Sequence, residues 1–170
     1  MISKEMQARL ADQMNLEFQS AYHYFALSAY CTAQNMTGFA KWMMVQAQEE
    51  IIHGMKIYDY LNDQGADVAL KDIKQPVLKV DSMLDTFRES LANEERLTVK
   101  IQELVAFALE EKDYATHTFL QWFVTEQVEE VATCTEILEQ LKMVEGDGNG
   151  LLLIDRELKQ RELEYAYTVK

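Results

Sequence analysis

The chain has 170 residues, 48% of them hydrophobic, and its 16 Lys and Arg against 29 Asp and Glu give a net charge of −13. This length fits one domain with a sizeable core, which we take as residues 1–170. An acidic surface repels nucleic acid and anionic membranes and attracts cations, so nucleic acid and membranes are not expected partners. The N-terminal residues contain no apolar run like that of a signal peptide, and no stretch of about 18 apolar residues occurs, so the expected location is the cytoplasm.

Only six Gly and one Pro interrupt the chain, which favours long helices over many short strands. Apolar residues recur every three or four positions after Ser3, which predicts an amphipathic first helix with Ser3 as its N-cap. Thr37 is the predicted cap of the second helix and Gly65 its stop, and a Gly-rich segment precedes a short fifth helix. The predicted helices are about residues 4–33, 38–64, 83–112, 114–145 and 151–163.

The connections between the helices predict how they are arranged. Helices one and two, and helices three and four, are joined by about four residues or fewer, which makes them antiparallel neighbours. About seventeen residues, 66–82, join helices two and three, and they include Pro76. Seventeen extended residues span ~55 Å, more than the ~40 Å length of each helix. The sequence therefore predicts an all-α four-helix bundle with one long crossover and a short fifth C-terminal helix.

A Glu-x-x-His motif on the second helix is the first indication of a metal site. Glu50 and His53 are spaced i, i+3, so both side chains lie on one helix face and can reach one ion. This motif alone is weak, because it occurs by chance in many helices. Glu17, 33 residues before Glu50, lies in the middle of the first helix between Leu16 and Phe18.

The same set of positions repeats 77 residues later. Glu94 corresponds to Glu17, and Gln127 and Glu130 correspond to the Glu-x-x-His pair. A bundle with pseudo-two-fold symmetry would bring the six side chains together, as in bundles that hold two metal ions between four helices. Gln-x-x-Glu here takes the place of a second Glu-x-x-His.

The charges of this set also predict bound cations. Four buried, unpaired carboxylates would cost more than the ~5–15 kcal/mol net stability of a domain. The carboxylates of Glu17, Glu50, Glu94 and Glu130 carry a charge of −4, which two Fe(II) or two oxide-bridged Fe(III) would balance. Mixed imidazole and carboxylate ligands suit iron, with Mn and Zn as alternatives.

Two further features each allow two interpretations. Glu49, Glu126 and Glu129 lie beside the first set, with Glu130 able to bridge, and they form either a third metal position or a solvated acidic stripe. Tyr24 is two turns after Glu17 on the same helix face. It is either a core tyrosine or a side chain that hydrogen-bonds a ligand or gives an electron to an oxidised intermediate.

Three segments resemble the prokaryotic non-haem ferritins: residues 15–17, residues 48–53 and, most specifically, the Gln-Trp-x-x-x-Glu-Gln-x-Glu-Glu run within residues 119–130. The resemblance covers nearly the whole chain. It implies a homo-oligomeric shell of 24 subunits that stores hydrated ferric oxide, with a ferroxidase centre in each subunit that oxidises Fe(II) with O2 or H2O2.

The resemblance also implies roles for the individual residues. Glu17, Glu50 and His53 would hold one iron, and Glu50 would bridge to the other. Glu94, Glu130 and Gln127 would surround the second iron, and Tyr24 matches the tyrosine beside the centre. The third iron position of bacterial members corresponds to Glu49, Glu126, Glu129 and Glu130.

Related classes differ at particular residues. Bacterioferritins carry a second Glu-x-x-His, and their haem-binding Met directly follows the first Glu, where this chain has Ile51, so no haem is expected. The alternative function is a soluble di-iron oxidase or peroxidase that forms no shell. The apolar fifth helix favours the shell, because the resemblance places it at four-fold axes and the hinge at residues 146–150 would let it turn away from its own bundle.

Overall fold

The chain, in which few Gly and Pro residues interrupt helix formation, folds as five helices in a computed structural model. The structure describes residues 2–164 and Tyr167. The helices are α1 (Lys4–Ala33), α2 (Thr37–Asp63), α3 (Met83–Glu110), α4 (Tyr114–Met143) and α5 (Gly148–Leu158). Within the described residues there is no strand, and no helix is long and apolar enough to cross a membrane. The predicted all-α fold class is confirmed.

Side-chain caps fix where three of these helices begin. Ser3, Ser82 and Asp113 each accept a hydrogen bond from the backbone N–H three residues further on, at 3.0–3.1 Å. Each bond satisfies one of the N–H groups that a helix leaves unpaired at its first turn. These caps lie at the predicted starts of α1, α3 and α4.

The start of α2 differs from the prediction, because its cap comes from the other end of the chain. Thr37 is already helical, and Met36 in front of it makes no side-chain cap. Instead the Asp155 carboxylate of α5 accepts hydrogen bonds from the backbone N–H groups of Gly38 at 2.8 Å and Phe39 at 3.1 Å. A Cβ atom on Gly38 would lie 1.6 Å from the Asp155 carbonyl oxygen, so this contact requires glycine.

The fifth helix begins earlier in the chain than the sequence predicts, and it is shorter. It begins at Gly148 and ends at Leu158, and the Asp147 side chain accepts a hydrogen bond from the Asn149 N–H at 3.0 Å. Two glycines of the predicted hinge, Gly148 and Gly150, thus fall in its first turn, and Gly146 precedes the helix. Its buried residues, Ile154 and Leu158 together with the Asp155 cap, pack against the bundle end at α2, so the helix does not turn away from its own subunit.

The crossover between α2 and α3 lies along α1. Asn15 hydrogen-bonds the backbone of residues 69 and 71 at 2.8 Å, and Gln19 bonds both backbone groups of Lys74 at 2.7 and 2.9 Å. These contacts follow the outer face of α1 and hold the chain as it returns past the bundle. The predicted long crossover is therefore present.

Two apolar clusters fill the bundle, one towards each end. One cluster contains residues before Glu17 on α1 and after His53 on α2, and the other contains residues after Glu17 and before Glu50. The same division occurs on α3 and α4. A layer of buried polar side chains separates the clusters at mid-height, and these side chains are Glu17, Glu50, His53, Glu94, Gln127 and the partly buried Glu130. We call this set the polar layer.

Candidate metal centre

The polar layer brings together all six side chains of the predicted repeat. Two groups of ligand atoms have every atom within 4.8 Å of the others: Glu17 with Glu50 and His53, and Glu50 with Glu94 and Glu130. Glu50 belongs to both groups and is fully buried. Two ions held by these groups would therefore share the Glu50 carboxylate as a bridge.

Several oxygen and nitrogen atoms of the layer are buried and have no hydrogen-bond partner. They include both carboxylate oxygens of Glu50, one oxygen each of Glu17 and Glu130, and Nδ1 of His53. Leaving such atoms unpaired in a protein interior is costly, and for a carboxylate the cost is several kcal/mol. A pair of cations coordinated by these atoms removes that cost, so the donor set fits iron.

The imidazole of His53 is held in a position to coordinate. Its Nδ1 lies 3.6 Å from Glu50, and its Nε2 lies 4.0 Å from Glu130. The rings of Trp122 and Phe123 pack edge-on to it, with centroids 5.3 and 6.1 Å away. Burial, and secondarily the charge of Lys56, lowers the pKa of His53 to about 3, so the imidazole is neutral and its lone pair is available to a metal ion.

The carboxyl groups of the layer hold protons more tightly than ordinary glutamates. Burial raises the pKa of Glu17 to about 7, although a hydrogen bond from Gln13 opposes the shift. Burial, followed by the charges of neighbouring carboxylates, raises the pKa values of Glu50 and Glu130 well above the usual range. Burial also raises the pKa of Glu94. A metal ion must therefore displace protons in order to bind.

We expect this displacement to be measurable. At pH 6.5, which is below the pKa of Glu17, Zn²⁺ added to metal-free protein should release about one proton or more per subunit. Acid is released because carboxyl groups with raised pKa values are protonated before the metal binds and ionised afterwards. For the same reason, the affinity for metal should fall as the pH is lowered. A pH-stat titration measures the acid released. Saturating Zn²⁺ binding without acid release would contradict the conclusion that carboxyl groups of the layer are protonated in the metal-free protein.

Hydrogen bonds from three other side chains orient the predicted ligands. The Tyr24 hydroxyl donates to Glu94 Oε1, and Gln127 Nε2 donates to Glu94 Oε2 at 3.2 Å and to Thr98 at 3.3 Å. Gln46 Nε2 donates to Glu130 Oε1 at 2.9 Å. The structure thus places Gln127 beside the predicted second position, with its amide nitrogen donating to Glu94.

Sequence reasoning missed two of the orienting residues. Gln13 is buried and donates to Glu17 Oε1 at 2.7 Å, and Gln46 is buried beside Glu130. Each lies four residues, one helical turn, before a predicted ligand of its own helix, Glu17 or Glu50. A buried glutamine one turn from a ligand is the signal that could have identified them. Such hydrogen bonds fix ligand orientation and raise ligand basicity.

The second acidic cluster surrounds a small cavity next to the polar layer. Glu49, Glu126, Glu129 and Glu130 line this cavity of about 100 Å³, and so do Arg161 and Glu164, which the sequence reasoning did not select. Glu49 is buried, Glu126 is half-buried and Glu129 is exposed. We call this space the acidic cavity. It has the residues of the predicted third position but, unlike the polar layer, it opens to solvent on one side.

Together these features define the class of protein: a four-helix bundle with a long crossover and a buried cluster of carboxylates and a histidine that could hold metal. Comparison with known proteins agrees. The family model described as a ferritin-like domain matches residues 7–144. Bacterial non-heme ferritins from Staphylococcus epidermidis and Staphylococcus aureus are 44% and 40% identical to this chain, covering 95% and 96% of it and 97% and 99% of their own length.

Solved structures give the same result. An open-pore ferritin from the hyperthermophilic archaeon Archaeoglobus fulgidus is 41% identical, with a TM-score of 0.93, over 95% of this chain and 98% of that one. A humanized archaeal ferritin reaches a TM-score of 0.94 at the same identity, over 95% of this chain and 99% of that one. The chain belongs to the ferritin family and is an iron-storage ferritin.

Proposed function

We propose that this ferritin is a ferroxidase that oxidises Fe(II) at the polar layer and delivers Fe(III) to a mineral stored inside a 24-subunit shell. The observation that carries the proposal is Glu50, a fully buried carboxylate common to two ligand groups, with both oxygens unpartnered. Two Fe(II) bound there are adjacent, so they can together give two electrons to one O2 or H2O2. With two protons, O2 leaves as H2O2, and H2O2 leaves as two waters.

Each side chain of the layer has a role in this proposal. Glu17, Glu50 and His53 hold the first iron, and Glu50, Glu94 and Glu130 hold the second. Gln127 and Tyr24 hold Glu94 through its two oxygens. The ligand charge of −4 balances two Fe(II) and equally two Fe(III) with an oxide bridge, so oxidation does not leave a large uncompensated charge in the core.

A third iron position in the acidic cavity is the next part of the proposal. Glu130 lines that cavity and also belongs to the second ligand group, so it connects the two places. An ion held by Glu49, Glu126, Glu129 and Glu130 would lie between the dinuclear centre and solvent. Because the cavity is open, its ion should exchange more readily than the two irons of the polar layer.

Tyr24 should contribute to the rate of oxidation. Its hydroxyl holds Glu94, and burial, together with the charge of Glu94, raises the pKa of Tyr24 well above the usual value, so the group stays protonated and donates. Tyr24→Phe should slow Fe(II) oxidation by about tenfold, the lower end of the loss typical when the hydrogen-bond partner of a metal ligand is removed. Stopped-flow absorbance measures the rate. Tyr22→Phe, an exposed tyrosine on the same helix, is the control and should match the parent.

The second candidate function is a di-iron oxidase or peroxidase that forms no shell. Leu152 and Leu153 of α5 are 50% and 64% exposed, whereas Ile154 and Leu158 of the same helix are buried, which favours a shell in which other subunits cover the two exposed leucines. Size-exclusion chromatography with light scattering separates the two functions directly. A monomeric or dimeric species that oxidises Fe(II) without storing it would establish the second.

A further inference from the structure

The chain after α5 folds back across the acidic cavity. Residues 159–164, which we call the C-terminal strap, leave α5 and lie against α2. Lys41 Nζ donates to the Lys159 carbonyl at 2.9 Å, and the Glu164 backbone N–H donates to the Glu49 carboxylate. Arg161 and Glu164 of the strap therefore form part of the wall of the cavity that lies beside the dinuclear centre.

Arg161 carries the positive charge of the strap into this cavity. Its Nη2 donates to Gln46 Oε1 at 2.7 Å and also to Glu49 Oε2, and its guanidinium stacks on the ring of Trp42 at 4.2 Å. The side chain is 20% exposed, and Nη1 is buried without a hydrogen-bond partner. The guanidinium is therefore held by the two hydrogen bonds of Nη2, by the charge of Glu49 and by stacking, while its buried Nη1 donor is unused.

One oxygen in the same cavity lacks a partner altogether. Glu130 is 10% exposed and lines the cavity, and its Oε2 is buried and accepts no hydrogen bond, while Oε1 accepts from Gln46. Gln46 in turn accepts from Arg161. The guanidinium thus neutralises the Glu49 side of the cavity, whereas Oε2 of Glu130 remains available to a cation.

We propose that Arg161 is a tethered cation that occupies the third metal position and must be displaced before a metal ion binds there. The inference rests on the proposed function, since it concerns the acidic cavity beside the dinuclear centre. The guanidinium and a metal ion would compete for the negative charge of Glu49, and two cations in a cavity of about 100 Å³ repel each other. Arg161 therefore determines how many metal ions each subunit binds tightly.

The test is calorimetric titration of the assembled, full-length, metal-free protein with Zn²⁺, which has no redox chemistry. The parent should bind two equivalents tightly and a third weakly. Arg161→Gln keeps a side chain able to bond Glu49 but removes the charge, and it should tighten the third equivalent by at least about tenfold, as expected for a close charge of like sign. Arg156→Gln makes the same charge change on exposed α5 surface and should match the parent.

A second measurement reports on the arginine itself without removing it. Because the guanidinium stacks on Trp42, its departure should change tryptophan fluorescence of the parent at the third equivalent, after the change caused by the first two. Arg161→Lys keeps the charge but loses the planar stack and the fork of donors, so its third equivalent should be of intermediate affinity. If Arg161→Gln fails to assemble, the fluorescence titration of the parent and the Arg161→Lys variant still test whether Arg161 is displaced.

The outcomes separate this inference from the proposed function. Equal third-site affinity in the parent, Arg161→Gln and Arg161→Lys, with no fluorescence change at that step, would overturn the role of Arg161 and show that it only fastens the strap. If the parent does not bind two equivalents of Zn²⁺ tightly, the result would instead overturn the proposed dinuclear centre.

Discussion

Replacing Glu50 by Gln should slow fast Fe(II) oxidation by at least about 100-fold, beyond the 10–100-fold typical of changes to the neighbours of a metal ligand. The amide is nearly the same size but cannot bridge two cations as an anion. Because Glu50 is common to both ligand groups, one substitution weakens both positions. Stopped-flow oxidation and anaerobic Fe(II) titration should show the loss of rate and of tight binding together.

The stability of the same variant should change in the opposite direction. Glu50 is fully buried with both oxygens unpartnered, and its pKa is raised well above the usual range, so the metal-free protein bears the cost of keeping a proton on this group. A neutral Gln removes that cost. The thermal midpoint of metal-free Glu50→Gln should therefore equal or exceed that of the parent, whereas added Zn²⁺ should raise only the midpoint of the parent. A lower metal-free midpoint would mean that the defect is one of folding.

Glu95→Gln is the matched control for this experiment. Glu95 follows the proposed ligand Glu94 on α3, but its side chain is exposed, so the substitution makes the same chemical change outside the core. Its rate, its two tight equivalents and its response to Zn²⁺ should all match the parent. A Glu50→Gln variant that oxidises Fe(II) as fast as this control would show that the chemistry takes place elsewhere.

The six side chains of the polar layer were predictable because helix geometry is local. Residues three apart share a face, and the 77-residue repeat placed the two sets at equal heights in a bundle. The caps at Ser3, Ser82 and Asp113 were predictable for the same reason, since each acts on a backbone group three residues away.

Contacts between distant parts of the chain could not be read in this way. The cap of α2 comes from Asp155, 117 residues after Gly38, and the side chain in the acidic cavity is Arg161, 112 residues after Glu49. Both depend on where α5 docks, which the glycines before it do not determine. The sequence pattern predicts a flexible hinge at residues 146–150, but in the structure Gly148 and Gly150 belong to the first turn of the helix.

The docking of α5 also changes how its role in assembly should be tested. Removing the chain from residue 150 onward would delete Asp155 and leave two backbone N–H groups of α2 without their acceptor. It would also remove the apolar residues that α5 buries against its own bundle. Such a truncation would lower the stability of the subunit as well as that of any shell. Substitutions on the exposed face of α5 separate the two effects.

Leu152→Glu with Leu153→Glu is that substitution, and we expect it to prevent a stable shell while leaving the subunit folded. Both side chains are at least half exposed, so the subunit loses little packing. If other copies cover them, burial contributes about 1.5–3 kcal/mol for each leucine before ordering costs, and closed symmetry repeats that contribution at every equivalent contact. Glutamates there would instead bring like charges together in a chain whose net charge is already −13.

Light scattering after size-exclusion chromatography measures the assembly, and circular dichroism measures the helix content. The double variant should keep the helix content and the two tight Zn²⁺ equivalents of the parent but elute as a smaller species that retains little ferric mineral. Val99→Glu, which places a glutamate at a half-exposed apolar position of α3, should assemble as the parent does. A double variant that forms a shell of the same mass, heat resistance and iron loading would exclude α5 from subunit contacts.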